Sequence, residues 1–269
     1  EVAEITEAIL EDKENIRGRE VVHQGMSAEE YFWFLNENGL FEDMENFKFV
    51  VDFCKAIREC GGRALIVGGS VRDEIIKKPA KDYDIEVHGL EPKLLREVVA
   101  KFGDINEVGR AFAVLKLKAP HGEVEVSLPR RESKTGHGHK GFAVSPEPNM
   151  GLREASRRRD FTVNSIAKDP LTGEIFDYYG GIEDLQNGIL KVPNTEKFVE
   201  DPLRILRAAQ FIGRMNLKLD DKSDELIRKT MPELKYISKE RFGFEWEKLL
   251  LRSRQPSLAL RAAMELGIF

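Results

Sequence analysis

Cysteine is scarce in this 269-residue sequence, with Cys54 and Cys60 the only two. On a predicted helix their spacing points them to different faces, and nothing else completes a ligand quartet, so neither a disulfide nor a zinc site is expected. Long apolar runs are also missing. No stretch approaches the roughly 20 residues that cross a bilayer, and no hydrophobic leader opens the sequence, so the expectation is a cytoplasmic protein without a membrane partner. Two common nucleotide-binding patterns, GxxxxGK[ST] and GxGxxG, do not occur. The net charge is a modest −5, which argues against a protein that coats nucleic acid, since phosphate affinity comes from locally clustered Lys and Arg.

Such clusters are present. Arg130, Arg131, Lys134 and Lys140 crowd one stretch, Arg153, Arg157, Arg158 and Arg159 a second, and Arg204, Arg207 and Arg214 a third. Taken alone, each would be a solvated face. All three flank motifs that ask for phosphate, which tips their reading toward function.

The densest signal lies between Ala64 and Glu86, ALIVGGSVRDEIIKKPAKDYDIE. Its pattern predicts a buried strand, a double-glycine turn opening a short helix, a loop and a second strand. Alternate side chains of a strand share a face, so Asp82 and Asp84 project together while Tyr83 and Ile85 point the other way. Gly68-Gly69-Ser70 clears side chains where a backbone must approach a ligand, and the helix start that follows offers N–H groups to an anion, with Arg72 adding charge. Two carboxylates beside such a turn suit a metal ion and a polyphosphate, which is what nucleotidyl transfer needs. A third carboxylate is expected from an adjacent strand. Glu125 faces the same way if Val124 and Val126 face the core, and Glu123 lies on that face too.

The rest of the chain frames this stretch. Residues 1–24 are highly charged, begin at Glu1 rather than Met, and offer one amphipathic helix from Val2 to Leu10, so a fragment edge is expected there. Ser27-Ala-Glu-Glu30 reads as a capping box opening a helix that ends near Gly39, with Tyr31, Phe32, Trp33 and Phe34 assigned to packing. A helix from Asp43 to Cys60 is stopped by Gly61-Gly62, and another runs from Pro92 to Phe102. Strands are expected near Ile105–Val108, Ala111–Lys118 and Glu123–Leu128. Pro129–Met150 has no periodicity and reads as a mobile loop, with His137 and His139 ordinary polar residues in it. A helix resumes at Leu152, followed by a strand at Glu174–Tyr178 and a turn at Gly180-Gly181. From Phe198 the pattern is helical, over residues 201–215, 222–231, 239–251 and 257–266, which puts a domain boundary near residues 180–195.

GGSVRD followed by KDYDIEVHG resembles the nucleotidyltransferase signature of the polymerase-β superfamily, in the version carried by class II tRNA nucleotidyltransferases (CCA-adding enzymes) and their bacterial poly(A) polymerase relatives. Further segments follow in that family's order: VEVSLPR with Glu125, RRDFTVNSIA, the stretch from Asp177 to Asp184, and EDPLRILRAAQF. The resemblance spans residues 62 to 250 and implies an α+β fold. A polymerase-β-like head, a mixed sheet with flanking helices, would occupy residues 43–185. An all-helical neck and partial body would fill 186–269, and residues 1–42 would form an N-terminal helical extension.

Carried over position by position, the resemblance makes Asp82 and Asp84 the ligands of a two-metal Mg²⁺ site, with Glu125 assisting. Gly68, Gly69, Ser70, Arg72 and Arg159 would hold the triphosphate. Asp160 and Asn164 would sense the ribose 2′-hydroxyl, and Asp201 and Arg204 would read the base edge of C and then A, with Arg207 supporting the same face. The plainer reading of Asp201 and Arg204 is an i,i+3 surface pair worth about 0.2–0.5 kcal/mol. The implied activity is addition of CMP and/or AMP, from CTP and/or ATP, to the 3′ end of tRNA with release of pyrophosphate. CC-only, A-only or poly(A) addition on the same scaffold is the alternative, with a catalytically inactive RNA-binding module more distant. Leu128-Pro129, Ser165 and Gln210 depart from the family's usual residues. Phe269 falls inside the neck or early body, so the tail that grips the tRNA elbow in full-length relatives is expected to be absent or reduced.

Overall fold

A computed structural model describes residues 22–80, 82–104, 106–108, 114–134 and 142–268. The predicted helix at Val2–Leu10, together with His137, His139 and Lys140, lies outside the described residues. The chain divides into two units. One holds residues 1–132, 144–156 and 164–178, and the other holds 133–143, 157–163 and 179–269.

The first unit opens with β1 (Val22–Gln24), α1 (Ala28–Glu37), α2 (Phe41–Glu59), β2 (Arg63–Val67), α3 (Gly69–Ile75) and β3 (Tyr83–His88). It continues through α4 (Pro92–Val99), β4 (Asn106–Val108), β5 (Val114–Ala119) and β6 (Gly122–Ser127). In chain order β7 (Arg130–Lys134), β8 (Phe142–Pro146) and α5 (Leu152–Arg157) come next, each divided between the two units, then β9 (Ala167–Lys168) and β10 (Glu174–Phe176) of the first. Eight of these strands make one mixed sheet in the order β1-β10-β9-β2-β3-β6-β5-β4. Within it β3 and β6 pair in parallel and the other neighbours antiparallel.

Local sequence explains the flanking helices. The Ser27 hydroxyl accepts the Glu30 N–H at 3.2 Å while the Ser27 N–H donates to the Glu30 carboxylate at 2.7 Å, the reciprocal capping box that starts α1. Along α2, Phe47, Val50, Phe53, Cys54 and Ile57 recur at helical spacing and are all buried. Both cysteines are free, and burial pushes the Cys54 thiol up, the state of an inert core thiol. Buried Asp169 accepts from Arg58 at 3.1 Å and Arg63 at 3.0 Å, so the end of α2 and the start of β2 share one carboxylate.

Where a loop was expected over Pro129–Met150, β7 and β8 form a two-stranded sheet. Strand β7 is RRESK, wholly polar, and so offers none of the apolar alternation that marks a strand in a sequence.

The second unit contains α6 (Gly181–Gln186), β11 (Ile189–Leu190), α7 (Thr195–Phe198), α8 (Leu203–Met215) and β12 (Lys218–Leu219). Beyond these lie α9 (Asp221–Thr230), a 3₁₀ turn at Met231–Tyr236, α10 (Lys239–Arg252) and α11 (Pro256–Glu265). From residue 179 onward it is mainly helical, as the pattern led one to expect, with a short parallel pair of β11 with β12. Ala209, Leu249, Ala259, Ala262 and Ala263 form a cluster joining α8, α10 and α11. Small side chains let these helices approach closely, and at Gly213 an added Cβ would lie 2.4 Å from the Ala259 Cβ. Gln210 is buried and donates to the Glu245 carboxylate at 2.7 Å and its carbonyl at 2.9 Å. Burial pushes the Glu245 carboxyl up, but hydrogen bonds from Lys248 and Gln210 outweigh it and hold the group below its ordinary value.

Candidate active site

Strand β2 ends at Val67, and Gly68 then adopts φ 73° and ψ −129°, a conformation open to glycine and costly for other residues. Its N–H donates to the Ile166 carbonyl at 3.2 Å. The buried Ser70 hydroxyl donates to the Val67 carbonyl at 3.4 Å, so the turn is closed on itself as α3 begins. Arg72, only 4% exposed, is fixed from two sides. Its Nε and Nη2 donate to Asp73 Oδ1 at 2.9 and 2.7 Å, and Nη1 donates to Asn164 Oδ1 at 2.6 Å. Asp73 was not among the residues expected here. Its signal in the sequence is only its place directly after Arg72.

Strand β3 carries the two aspartates as alternation required. Asp82, one residue before the strand, and Asp84 are exposed, whereas Tyr83 and Ile85 are buried. Asp84 pairs with Val67 on one side and with Glu125 of β6 on the other. Val124 and Val126 are buried, so Glu125 stands on the Asp84 face. The register thus sets Glu125 opposite Asp84. Glu123, on the same face, donates its N–H to Asp82 Oδ1 at 3.4 Å.

Lys116 of β5 was also not foreseen. It bridges Glu123 and Glu125 at 2.7 and 2.8 Å, and those hydrogen bonds, Glu123's first, push its ammonium pKa up. Part of the Glu125 charge is therefore already neutralised. Among the described residues no group of three or more His, Cys, Asp or Glu is gathered as a ready-made metal cage. Two exposed carboxylates on one strand face nevertheless fit Mg²⁺, which uses one or two carboxylates and completes its octahedron with water and substrate phosphates.

The remaining expected site residues, Arg159, Asp160, Asp201, Arg204 and Arg207, belong to the second unit. The motif RRDFTVNSIA is divided, with residues up to Val163 in that unit and Asn164 onward in the first. Arg159 and Asp160 follow α5 in a bend anchored by Phe161, whose ring meets those of Phe198 and Phe211 edge-on at 5.8 and 5.6 Å. Asp160 Oδ1 accepts the Phe161 N–H at 2.8 Å, and Oδ2 takes Arg207 Nε at 2.7 Å and Nη2 at 2.6 Å. That carboxylate pushes the Arg207 guanidinium up.

Asp201 precedes α8, accepts the Leu203 N–H at 3.2 Å and reaches Arg241 at 3.4 Å. Arg204 donates through Nη1 to the Lys197 carbonyl at 2.7 Å and through Nη2 to the Arg158 carbonyl at 2.6 Å. Some of the basic clusters are salt-bridged: Arg131 pairs with Glu147 at 2.8 Å and Arg157 with Glu196 at 3.0 Å.

Residues 64–191 match the family described as the poly A polymerase head domain, and residues 216–269 match one described as a probable RNA and SrmB-binding site of polymerase A. A multifunctional CCA protein of Xanthomonas campestris is 39% identical over 209 residues, covering 75% of this chain and 48% of the relative. One from Xylella fastidiosa is 42% identical over 153 residues, 57% of this chain and 35% of its own. The chain thus spans about half the length, or less, of the curated relatives it matches. A solved CCA-adding enzyme of Bacillus stearothermophilus, in complex with CTP, aligns with a TM-score of 0.70 at 29% identity, over 83% of this chain and 53% of that one. The Thermotoga maritima CCA-adding enzyme complexed with tRNA also gives 0.70, at 22% identity over 93% of this chain and 55% of its own, a likeness of fold alone.

Proposed function

We propose that the chain is a nucleotidyltransferase of the kind found among CCA-adding enzymes and bacterial poly(A) polymerases, and that it adds CMP, AMP or both to the 3′ end of tRNA. The observation that carries this reading is the row of Val67, Asp84 and Glu125 across three neighbouring strands, with the glycine turn next to the exposed aspartates. In the reaction the terminal 3′-hydroxyl oxygen of the RNA bonds to the α-phosphorus of CTP or ATP. The bond between the α- and β-phosphates breaks, pyrophosphate leaves, and the hydroxyl proton is lost to solvent.

Mg²⁺, bound as a pair of ions, would neutralise triphosphate charge and lower the pKa of the attacking hydroxyl. Asp82 and Asp84 would hold it, with Glu125 assisting. The turn at Gly68, Gly69 and Ser70 takes the triphosphate together with Arg72 and Arg159, and Arg72 is oriented beforehand by Asp73 and Asn164. Pre-oriented donors need no rearrangement as charge develops. Asp160 and Asn164 are assigned to the ribose, and Asp201 and Arg204 to the base edge, with Arg207 held beside Asp160 in support. Residues 43–185 act as the catalytic head and 186–269 as neck and early body, beyond an extension at 1–42. A cytoplasmic location follows from the substrates.

A labelled-nucleotide assay on tRNAs ending before, within and after CCA tests the reading. Incorporation that stops when CCA is complete is expected. Sustained A-tailing of any RNA would sink CCA addition in favour of poly(A) synthesis, and no incorporation on any RNA would favour an inactive binding module.

A further inference from the structure

Lys168 of β9 is wholly buried, and its ammonium meets the carboxylate of Glu74, at 8% side-chain exposure, near the end of α3. The Lys168 Nζ also lies 5.5 Å from the centre of the Tyr31 ring, a cation over an aromatic face. Neither residue belongs to the sequence signature of the site. Burying a charge pair is expensive, and hydrophobic replacements of similar volume are often as stable or more so. Here burial is the largest influence on the Glu74 carboxyl and pushes it up, with Lys168 only partly opposing. Stability is therefore a poor explanation for the pair.

Its position suggests another. Three alternate residues of one short segment hold α3 and its glycine turn at three points. The Ile166 carbonyl accepts the Gly68 N–H at 3.2 Å, Asn164 Oδ1 accepts from Arg72 Nη1 at 2.6 Å, and Lys168 Nζ donates to the Glu74 carboxylate. The segment is itself pinned to β2, Ala167 pairing with Val67 and Lys168 with Ile66. The start, middle and end of α3 are thus each held from the same five-residue segment, which runs from the 3₁₀ turn ending at Asn164 into β9.

Building on the functional reading above, we infer that the Lys168–Glu74 pair is a positioning device. It fixes the rotation and tilt of α3 so that Arg72 and the Gly68–Ser70 turn stand ready for the triphosphate. Lys168 touches no substrate in this role and acts through α3.

The test compares Lys168→Met, Glu74→Leu and the double variant with the wild-type chain. Kinetics are read on an RNA acceptor with CTP or ATP, and hydrogen exchange is read at residues 69–76 without nucleotide. Lys168→Met should raise the nucleotide KM about tenfold and leave the RNA KM within about twofold, because small misplacement of a binding group is costly only to the ligand it holds. Exchange at residues 69–76 should quicken at the same time. The double variant, free of buried charge, should bring both readouts back toward wild type.

Should Lys168→Met fail to fold, Glu74→Gln keeps the volume and a hydrogen bond for Lys168, and the same split should appear at about threefold. An unchanged nucleotide KM in the folded variant overturns the inference. So does a parallel rise of both KM values that tracks lost thermal stability. A wild-type chain that binds no nucleotide overturns the functional reading itself, whereas an active wild type with indifferent variants overturns this role alone.

Discussion

At the scale of single residues the site turns on exposed carboxylates and pre-oriented cations. Asp84 is exposed on β3, so Asp84→Asn should leave thermal stability within about 0.5 kcal/mol while cutting incorporation by roughly 10³-fold or more. Chelation of Mg²⁺ should abolish incorporation without shifting the melting temperature. Parallel melting curves and single-turnover assays check both, and an active Asp84→Asn protein would remove the metal assignment. The alternation of Asp82 and Asp84 was legible because a strand's period is fixed by its backbone. The partners Asp73 and Lys116 were not: Lys116 depends on which residues of β6 stand opposite it, and Asp73 meets its helix neighbour Arg72 through side-chain rotamers that i,i+1 spacing does not announce.

A second residue-scale expectation concerns alkali. Burial, with the Glu74 carboxylate adding to it, pushes the Tyr31 hydroxyl up to about 12. The folded pKa is raised above the unfolded one, so the contribution is fully present below about pH 10 and is lost as pH rises toward 12. Over that window the unfolded chain has shed a proton the folded chain keeps, at a slope of about 1.4 kcal/mol per pH unit for one such group. Tyr83 is raised as well, again chiefly by burial. Tyr31→Phe should therefore flatten, and not abolish, the alkaline decline in urea midpoint, and an unaltered decline would contradict this account.

At the scale of elements, close helix packing in the second unit makes its own prediction. Gly213→Ala would gain roughly 0.5–1 kcal/mol of helix preference, but its Cβ would lie 2.4 Å from that of Ala259 and 2.9 Å from Ser253 Oγ. Overpacking of that kind costs about 1–3 kcal/mol, so the variant should melt a few degrees lower. A higher melting temperature would show that α11 can shift. The longer helices were legible to within a few residues, because caps such as Ser27 and the apolar stripe of α2 are local signals, whereas the short α6 was read only as a turn at Gly180-Gly181 and α7 was not read. Strands β9 and β11, of two residues each, carry too little pattern to be read. The β7–β8 pair was hidden for a different reason, as β7 is wholly polar and shows no alternation.

At the scale of the whole molecule, chain order and spatial order diverge. The two units interleave in sequence, and β9, the neighbour of β2, pairs Ala167 with Val67 across 100 positions. Pairing of such long separation forms slowly and leaves edges exposed meanwhile. During synthesis, therefore, both aspartates emerge from the ribosome well before the strand that completes their sheet. The late segment is also the one that holds Gly68, Arg72 and Glu74. On the proposed function, translation order delays the holding of Gly68 and Arg72 until β9 can pair, so a nascent chain carrying Asp82, Asp84 and Glu125 should still be unable to seat a nucleotide.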